Sequence, residues 1–479
     1  MKNRTINDPI LVVIDSVLRL KKDTLGPQIV NELTTSLTRD NPEYFKVHSM
    51  MKRDPRKYNY IQLPPRYIKS WFEDNETLYI PRGTVWLLKD LANNYNRKII
   101  FYDERIYFPI LQNVKMREHI KFLKYQNCAI ADAILSGGGV IHAPCGSGKT
   151  VIGIGILTQL KQPTLIICHK IDLINQWRGE LADKSIWPCS IGQVGGGVKN
   201  ATELTIATIQ TLHRLDGGNP NRPKLRNFLN NFGCVILDEC HHVPANTFLE
   251  IINLCPARYR YGLTATPKRK DQKEFLMADT LGRIVTEVTD NDLQQENRSQ
   301  PCKVIRINTD FFTHFKADEW IKLMRELIND GDRNNLIINN VMKSFNLGYF
   351  PLILSDRVGH CKYLAEKLKE EGLNVAVLTG DVNKNIRKEI MRQAKAQQLD
   401  VIVGTTVADE GLDIPMLSDC HLTTPTNNKA RLQQRIGRVR RVKDSESYVH
   451  DYVDWKVETL ARKAKTRLGF YRSWGFSVH

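Results

Sequence analysis

From about residue 113 to 295, short apolar runs alternate with helical stretches, the pattern of a parallel α/β sheet. The runs Val140–His142, Thr164–Cys168, Leu204–Ala207, Val235–Asp238 and Tyr261–Thr264 are predicted strands. The alternation returns from about 301 to 455, with strands predicted at Lys303–Ile307, Phe350–Leu354, Asn374–Leu378, Val401–Gly404 and Ser447–Tyr452. Two successive α/β units of similar size imply a duplicated architecture, although no sequence repeat is visible. The polar stretch Thr289–Gln300 between them reads as a linker. Upstream, Ile10–Ile14 and Lys98–Tyr102 read as strands, and Thr84–Leu91 as a helix with Trp86, Leu87, Leu88 and Leu91 on its apolar face. The expected layout is an α+β accessory region (1–112), two α/β domains (113–295 and 296–455) and a tail (456–479).

Charge changes this picture more than composition does. The chain has 479 residues, 42% of them hydrophobic, and a net charge of +17. Such an excess fits a polyanionic partner, usually nucleic acid, or an inert basic surface. Met51 to Lys57, with Lys52, Arg53, Arg56 and Lys57, reads as an exposed basic loop; a charge run of this kind is more often a solvated face than a contact. The tail mixes basic residues (Lys456, Arg462, Lys463, Lys465, Arg467, Arg472) with Phe470, Tyr471, Trp474 and Phe476. That mixture can stack on nucleic acid, but a helix docked back on the second α/β domain is the favoured reading. Ten scattered cysteines without a CxxC pair argue against a disulfide framework and fit a reducing compartment. Cys240-His241-His242 lacks a second ligand pair at a metal-binding spacing. No signal-peptide shape and no apolar run of membrane-span length is present, so a soluble intracellular protein is expected.

The stretch Ala143-Pro144-Cys145-Gly146-Ser147-Gly148-Lys149-Thr150 lies between a predicted strand and an apolar helical run. It reads as a phosphate-binding loop. Glycines let backbone N–H groups turn inward, and the following helix N-terminus adds positive charge. Lys149 is assigned to the β- and γ-phosphates and Thr150 to Mg²⁺. About ninety residues later, Val235-Ile236-Leu237 ends in Asp238-Glu239-Cys240-His241. Asp238 fits the Mg²⁺ ligand and Glu239 the residue that activates water. Thr264-Ala265-Thr266 ends a further strand and reads as a coupling element. In Leu432–Arg441, Gln434, Arg438 and Arg441 follow at spacings of four and three, which on a helix share one face. A guanidinium from there can neutralise charge on the γ-phosphate, or the helix can simply bind nucleic-acid phosphates.

The set APCGSGKT, DECH, TAT, GTTVADEGLDIP and QQRIGRVRR, in this order, resembles the superfamily 2 helicases over about 113 to 455. Thr266–Asp271, Asp332-Arg333-Asn334 and Leu354–Arg357 are most similar to the XPB-like, phage and poxvirus group, and Ala143 is a normal start to the loop in superfamily 2. The resemblance implies two tandem RecA-like domains with ATP between them. It implies that Gln126 reads adenine, that Gly146, Ser147, Gly148, Gly411 and Asp413 line the nucleotide site, and that His169, Lys170, Thr208, Gln210, Ser355, Arg357 and Thr405 follow a nucleic-acid strand. Gln176-Trp177 joins the first of these contact motifs. The expected activity is ATP- and Mg²⁺-dependent translocation on DNA, remodelling forks or junctions in replication, recombination or repair. The rivals are an RNA-directed ATPase that releases transcripts and an ATP-switched clamp that does not unwind.

Overall fold

The computed structural model describes residues 8–58, 60–144, 146–216, 222–242, 245–266, 271–405, 414, 416–440 and 446–479. The chain forms two compact units, one of Met1–Pro144 and Gly148–Val288, the other of Cys145–Ser147 and Thr289–His479.

Two sheets make up the body of the first unit. The accessory sheet orders Phe72–Glu73, Thr77–Pro81, Val17–Lys21, Ile10–Ile14 and Ile99–Asp103. Its pairings are antiparallel except the parallel one between Ile10–Ile14 and Ile99–Asp103. Ile10, Val12 and Ile14 alternate inward, as one buried face requires. They pack with Ile29 and Leu33 of the helix Pro27–Ser36 and with Leu88 of Val85–Asn94. Met51–Lys57 is not a loop. It spans the end of the helix Pro42–Arg53 and the start of Pro55–Tyr58. Asn41 caps the first, and proline opens both, where its missing N–H costs nothing. Lys52, Arg53 and Arg56 are exposed.

The larger sheet has eight strands, ordered Val198–Asn200, Ile191–Gly195, Leu204–Thr208, Thr164–Cys168, Cys234–Leu237, Tyr259–Thr264, Gly138–His142 and Ile284–Glu287. All pairings are parallel except the outer hairpin Ile191–Gly195/Val198–Asn200. The central strands are buried on both faces and accordingly read as continuous apolar runs. The phosphate-loop strand Gly138–His142 and the acidic strand Cys234–Leu237 are separated by Tyr259–Thr264, so three motif-bearing loops leave adjacent strand ends.

The second unit carries a seven-stranded parallel sheet, ordered Val375–Leu378, Val401–Gly404, Pro351–Leu354, Asp419–Leu422, Ser447–Val453, Cys302–Asn308 and Ser477–Val478. Two of its strands were not expected from the pattern. Asp419–Leu422 (Asp-Cys-His-Leu) is masked by its polar residues, and Ser477–Val478 is too short to register. The predicted linker holds a helix, Asp290–Gln295, because Thr289 and Asp292 cap it reciprocally. In the tail, the helix Glu458–Ser473 lies on the sheet through buried Tyr471 and partly buried Phe470 and Trp474. Among the described residues no helix is long and apolar enough to cross a membrane.

Candidate nucleotide and nucleic-acid site

The phosphate loop follows directly from Gly138–His142, and Lys149 opens the helix Lys149–Leu160. Gly146 and Gly148 have φ of 86° and 75°, conformations that a side chain resists. Gly148 has a second constraint: a Cβ there would lie 2.7 Å from Gln126 Nε2. Gln126 sits buried in the first turn of the helix Lys124–Ser136, and its Oε1 accepts the Leu123 N–H at 3.0 Å. The loop and the predicted adenine reader therefore touch. Ser147 is fully buried, and Thr150 is half-buried on the helix after Lys149. Ala143 N–H donates to Thr264 O at 2.9 Å, tying the loop to the neighbouring strand end.

Asp238 and Glu239 continue from Cys234–Leu237. Glu239 holds a left-handed backbone, φ 46°, which a non-glycine residue adopts only under constraint. Its Oε1 lies 3.2 Å from Lys149 Nζ, and its Oε2 lies 3.4 Å from His241 Nδ1. His241 Nδ1 is 2.8 Å from Thr264 Oγ1. Thr264 Oγ1 donates to Thr266 O and accepts from Thr266 N–H. A continuous polar chain thus runs from the loop lysine through the acidic strand end to Thr264 and Thr266.

Asp238 is buried, and burial followed by the adjacent Glu239 raises its pKa to about 6, against the pull of Trp177, Lys149 and His169. Two carboxylates beside one lysine form a donor set suited to a hard divalent cation. Trp177 is a correction. It does not face a nucleic-acid path. It is buried, packs over Gly153 and donates Nε1–H to Asp238 Oδ2 at 2.8 Å. The sequence places it in a motif that resembles a nucleic-acid contact, and nothing local marks it as a partner of a carboxylate sixty-one positions away. His142, to which the sequence gives no role beyond ending a strand, joins Glu287 and the Ala265 carbonyl and so holds the Thr264–Thr266 turn.

His169 and Lys170 follow the strand Thr164–Cys168; Thr208 ends its parallel neighbour Leu204–Thr208, opposite Cys168, and Gln210 lies two residues beyond. Gln210 Nε2 donates to His169 O at 2.9 Å, and Lys170 and Gln210 are exposed. These four residues form one edge. In the second unit, Ser355 differs from expectation. It is fully buried, and its hydroxyl bonds His360 Nδ1 at 3.0 Å. Arg357 is exposed, and Thr405 is buried after Val401–Gly404. Gln434 and Arg438 do not share a helical face: the helix Lys429–Ile436 ends before Gly437, and Arg438 lies in the following turn. Gln434 is buried on the helix. Arg435 and Arg431, not singled out by sequence, both clasp Asp356, at 2.6 and 2.9 Å. Arg441, Gly411 and Asp413 lie outside the described residues.

Two sequence families match the chain: "Type III restriction enzyme, res subunit" over residues 119–269 and "Helicase conserved C-terminal domain" over 331–443. A helicase-named protein of Sulfolobus islandicus filamentous virus is 29% identical over 398 residues, covering 78% of this chain and 70% of that protein. A second, helicase-named D10 of Escherichia phage T5, is 24% identical over 422 residues, covering 87% and 88%. The DNA 3'-5' translocase XPB2 of Sulfurisphaera tokodaii is 25% identical over 408 residues, covering 76% and 88%. Among solved structures, S. cerevisiae Dbp5 bound to RNA and ADP BeF3 aligns with a TM-score of 0.53 at 15% identity, covering 76% of this chain and 90% of that one. That likeness speaks to fold and identifies the two parallel sheets as RecA-like domains. The sequence matches fall on those two domains in the order that the motifs require, and they make the chain a member of the superfamily 2 helicases of XPB-like and phage type, enzymes that hydrolyse ATP.

Proposed function

We propose that the chain is a DNA-dependent ATPase motor that translocates on DNA and remodels forked or branched substrates. The observation that carries the motor reading is the chain Lys149–Glu239–His241–Thr264, which joins phosphate binding to the turn after the third motif strand. Lys149 leaves Glu239 for the β- and γ-phosphates when ATP enters, and Gln126 takes the adenine edge. The released Glu239 carboxylate then orients the attacking water. Asp238 and Thr150 hold Mg²⁺, which supplies positive charge at the phosphoryl oxygens. Arg438 and Arg441 neutralise the charge developing on the γ-phosphate. The switch of Glu239 away from His241 alters the support of Thr264 and Thr266 and so couples nucleotide state to the edge formed by His169, Lys170, Thr208 and Gln210. In the second unit, Arg357 and Thr405 continue the strand path, whereas Ser355 acts indirectly by orienting His360.

The net charge of +17 supports a polyanionic track, and relatives named as DNA translocases and DNA helicases favour DNA. An RNA-directed role is the second reading, favoured by a mimivirus relative named as an RNA helicase, 25% identical over 362 residues. ATP turnover and strand displacement measured together on single-stranded DNA, duplex, four-way junction and RNA separate these readings. Stimulation by junction DNA with displacement is expected. Stimulation by RNA alone overturns the DNA reading, and stimulation without displacement favours a clamp. Glu239→Gln should bind ATP yet turn over at least about a hundredfold more slowly; near-normal turnover would remove Glu239 from the chemistry.

A further inference from the structure

The second unit holds one large aromatic side chain in solvent on a rigid turn. The chain has seven tryptophans, and among them only Trp455 is exposed, by 53%. The turn that carries it is fixed on both sides. Asp454 is buried and accepts the Arg333 Nε–H at 2.7 Å and the Thr309 hydroxyl at 2.6 Å. Val457 is buried with Phe311, Leu323 and Leu460. Between them the Trp455 N–H donates to Val453 O at 3.0 Å. The backbone therefore holds the indole outward.

Its place on the sheet gives the exposure a meaning. Arg357 follows the strand Pro351–Leu354, Thr405 follows Val401–Gly404, and Trp455 follows Ser447–Val453. These strands run parallel in one sheet, so all three residues leave the same edge. Only Asp419–Leu422 separates the strand of Trp455 from that of Arg357, a lateral distance of roughly 10 Å at about 4.8 Å per strand. A single exposed apolar residue is ordinary on a protein surface. Trp455 is not single. Phe312 is 57% exposed in the loop after the next strand, Cys302–Asn308. That loop is tied to the tryptophan turn by Lys456 Nζ on Asp310 Oδ1 at 2.7 Å. Lys456 Nζ also lies 5.6 Å from the centre of the indole ring. Between Lys456 and Arg472, the exposed Lys456, Arg462, Lys465 and Arg472 outnumber one exposed acid, Glu458. That surplus complements a polyanion.

We propose that Trp455 stacks on an unpaired base of single-stranded DNA and extends the strand path of Arg357 and Thr405 across the second unit. The inference rests on the motor reading above and adds a grip on bases to contacts made with phosphates. Every base has a π-face, so an indole holds a strand without reading its sequence, as a translocating motor requires. The exposed Lys456 and Arg462 cations attract the flanking phosphates.

The test measures binding of the full chain to oligothymidylate and to its abasic counterpart, which keeps every phosphate and no base. Trp455→Ala should weaken oligothymidylate binding by roughly 5–150-fold and leave abasic binding unchanged. The slope of log affinity against log salt should stay as in wild type, because no phosphate contact is lost. Oligothymidylate should quench part of the wild-type tryptophan emission. Trp455→Phe, which keeps a ring, should recover most of the affinity while that quenching disappears. A defect of equal size on both oligonucleotides overturns the inference, and so does binding indifferent to Trp455 or wild-type emission that oligothymidylate leaves unchanged. If Trp455→Ala does not fold, the quenching in wild type and its loss in Trp455→Phe decide alone. Wild-type protein that binds no DNA, single-stranded, duplex or junction, sinks the motor reading as well, whereas DNA binding that ignores Trp455 leaves that reading standing.

Discussion

Trp177 shows how one buried donor tunes the acidic pair. Its Nε1–H on Asp238 Oδ2 favours the ionised carboxylate, against burial and Glu239, which raise the pKa to about 6. Asp238 must be ionised to hold a cation, so ATPase activity should fall as pH drops through about 6. Trp177→Phe removes the donor and leaves the ring, and it should move that acid limb to higher pH; an unmoved limb would show that another group sets it. His360 makes an opposite kind of statement. Burial, then nearby Arg333, pushes its pKa from 6.5 to about 3 while it bridges Ser355 Oγ and Asn334 Oδ1. The unfolded chain takes up a proton between pH 6.5 and about 3 that the folded chain refuses. The stability from this group is complete above 6.5 and is lost as pH falls through that window, by about 1.4 kcal/mol per unit. His360→Gln should flatten the acid-unfolding curve there, and a curve as steep as wild type would refute the assignment.

At the scale of elements, the helix Gly331–Asn346 is fastened to the second sheet by a buried ion pair. Arg333 Nε donates to Asp454 Oδ1 at 2.7 Å, Arg333 Nη2 to Thr423 O, and Thr309 Oγ1 to Asp454 Oδ1. Removing one partner leaves the other charge buried, at a cost of about 3–5 kcal/mol. Arg333→Met should lower the denaturation midpoint sharply, and adding Asp454→Leu should restore much of it. Single and double variants equal in stability would mean that the pair is not coupled. Asp332-Arg333-Asn334 resembled its family in sequence, and two of the three residues prove to be internal fastenings.

For the molecule as a whole, the accessory sheet and the first RecA-like domain form one compact unit. Arg82 donates to the carbonyls of Asp15, Ala257 and Arg258, and Arg39 pairs with Asp279 at 2.6 Å. Gly83 approaches so closely that a Cβ would lie 2.5 Å from Ala278 O and Gly282 N, both backbone atoms that cannot turn aside. Gly83→Val should therefore open the contact. Limited proteolysis is expected to release a fragment near residues 1–112 from the variant faster than from wild type. Equal cleavage would mean that the contact relaxes around the new side chain.

The strands and the motif order were legible because both are local: apolar runs mark buried parallel strands, and Gly146–Thr150 and Asp238-Glu239 announce their chemistry within a few residues. The sequence by itself determined two tandem α/β domains and the loop that binds phosphate. It erred where a polar pattern hid an element, as at Asp419–Leu422, or where a helix stopped early, as before Gly437. Only the tertiary structure decided which side chains meet. Trp177 on Asp238, Lys149 on Glu239, Arg435 on Asp356 and Asp419 between two histidines each depend on strand order and register. Those contacts join residues far apart in the chain, and no local spacing encodes a partner that arrives from another strand.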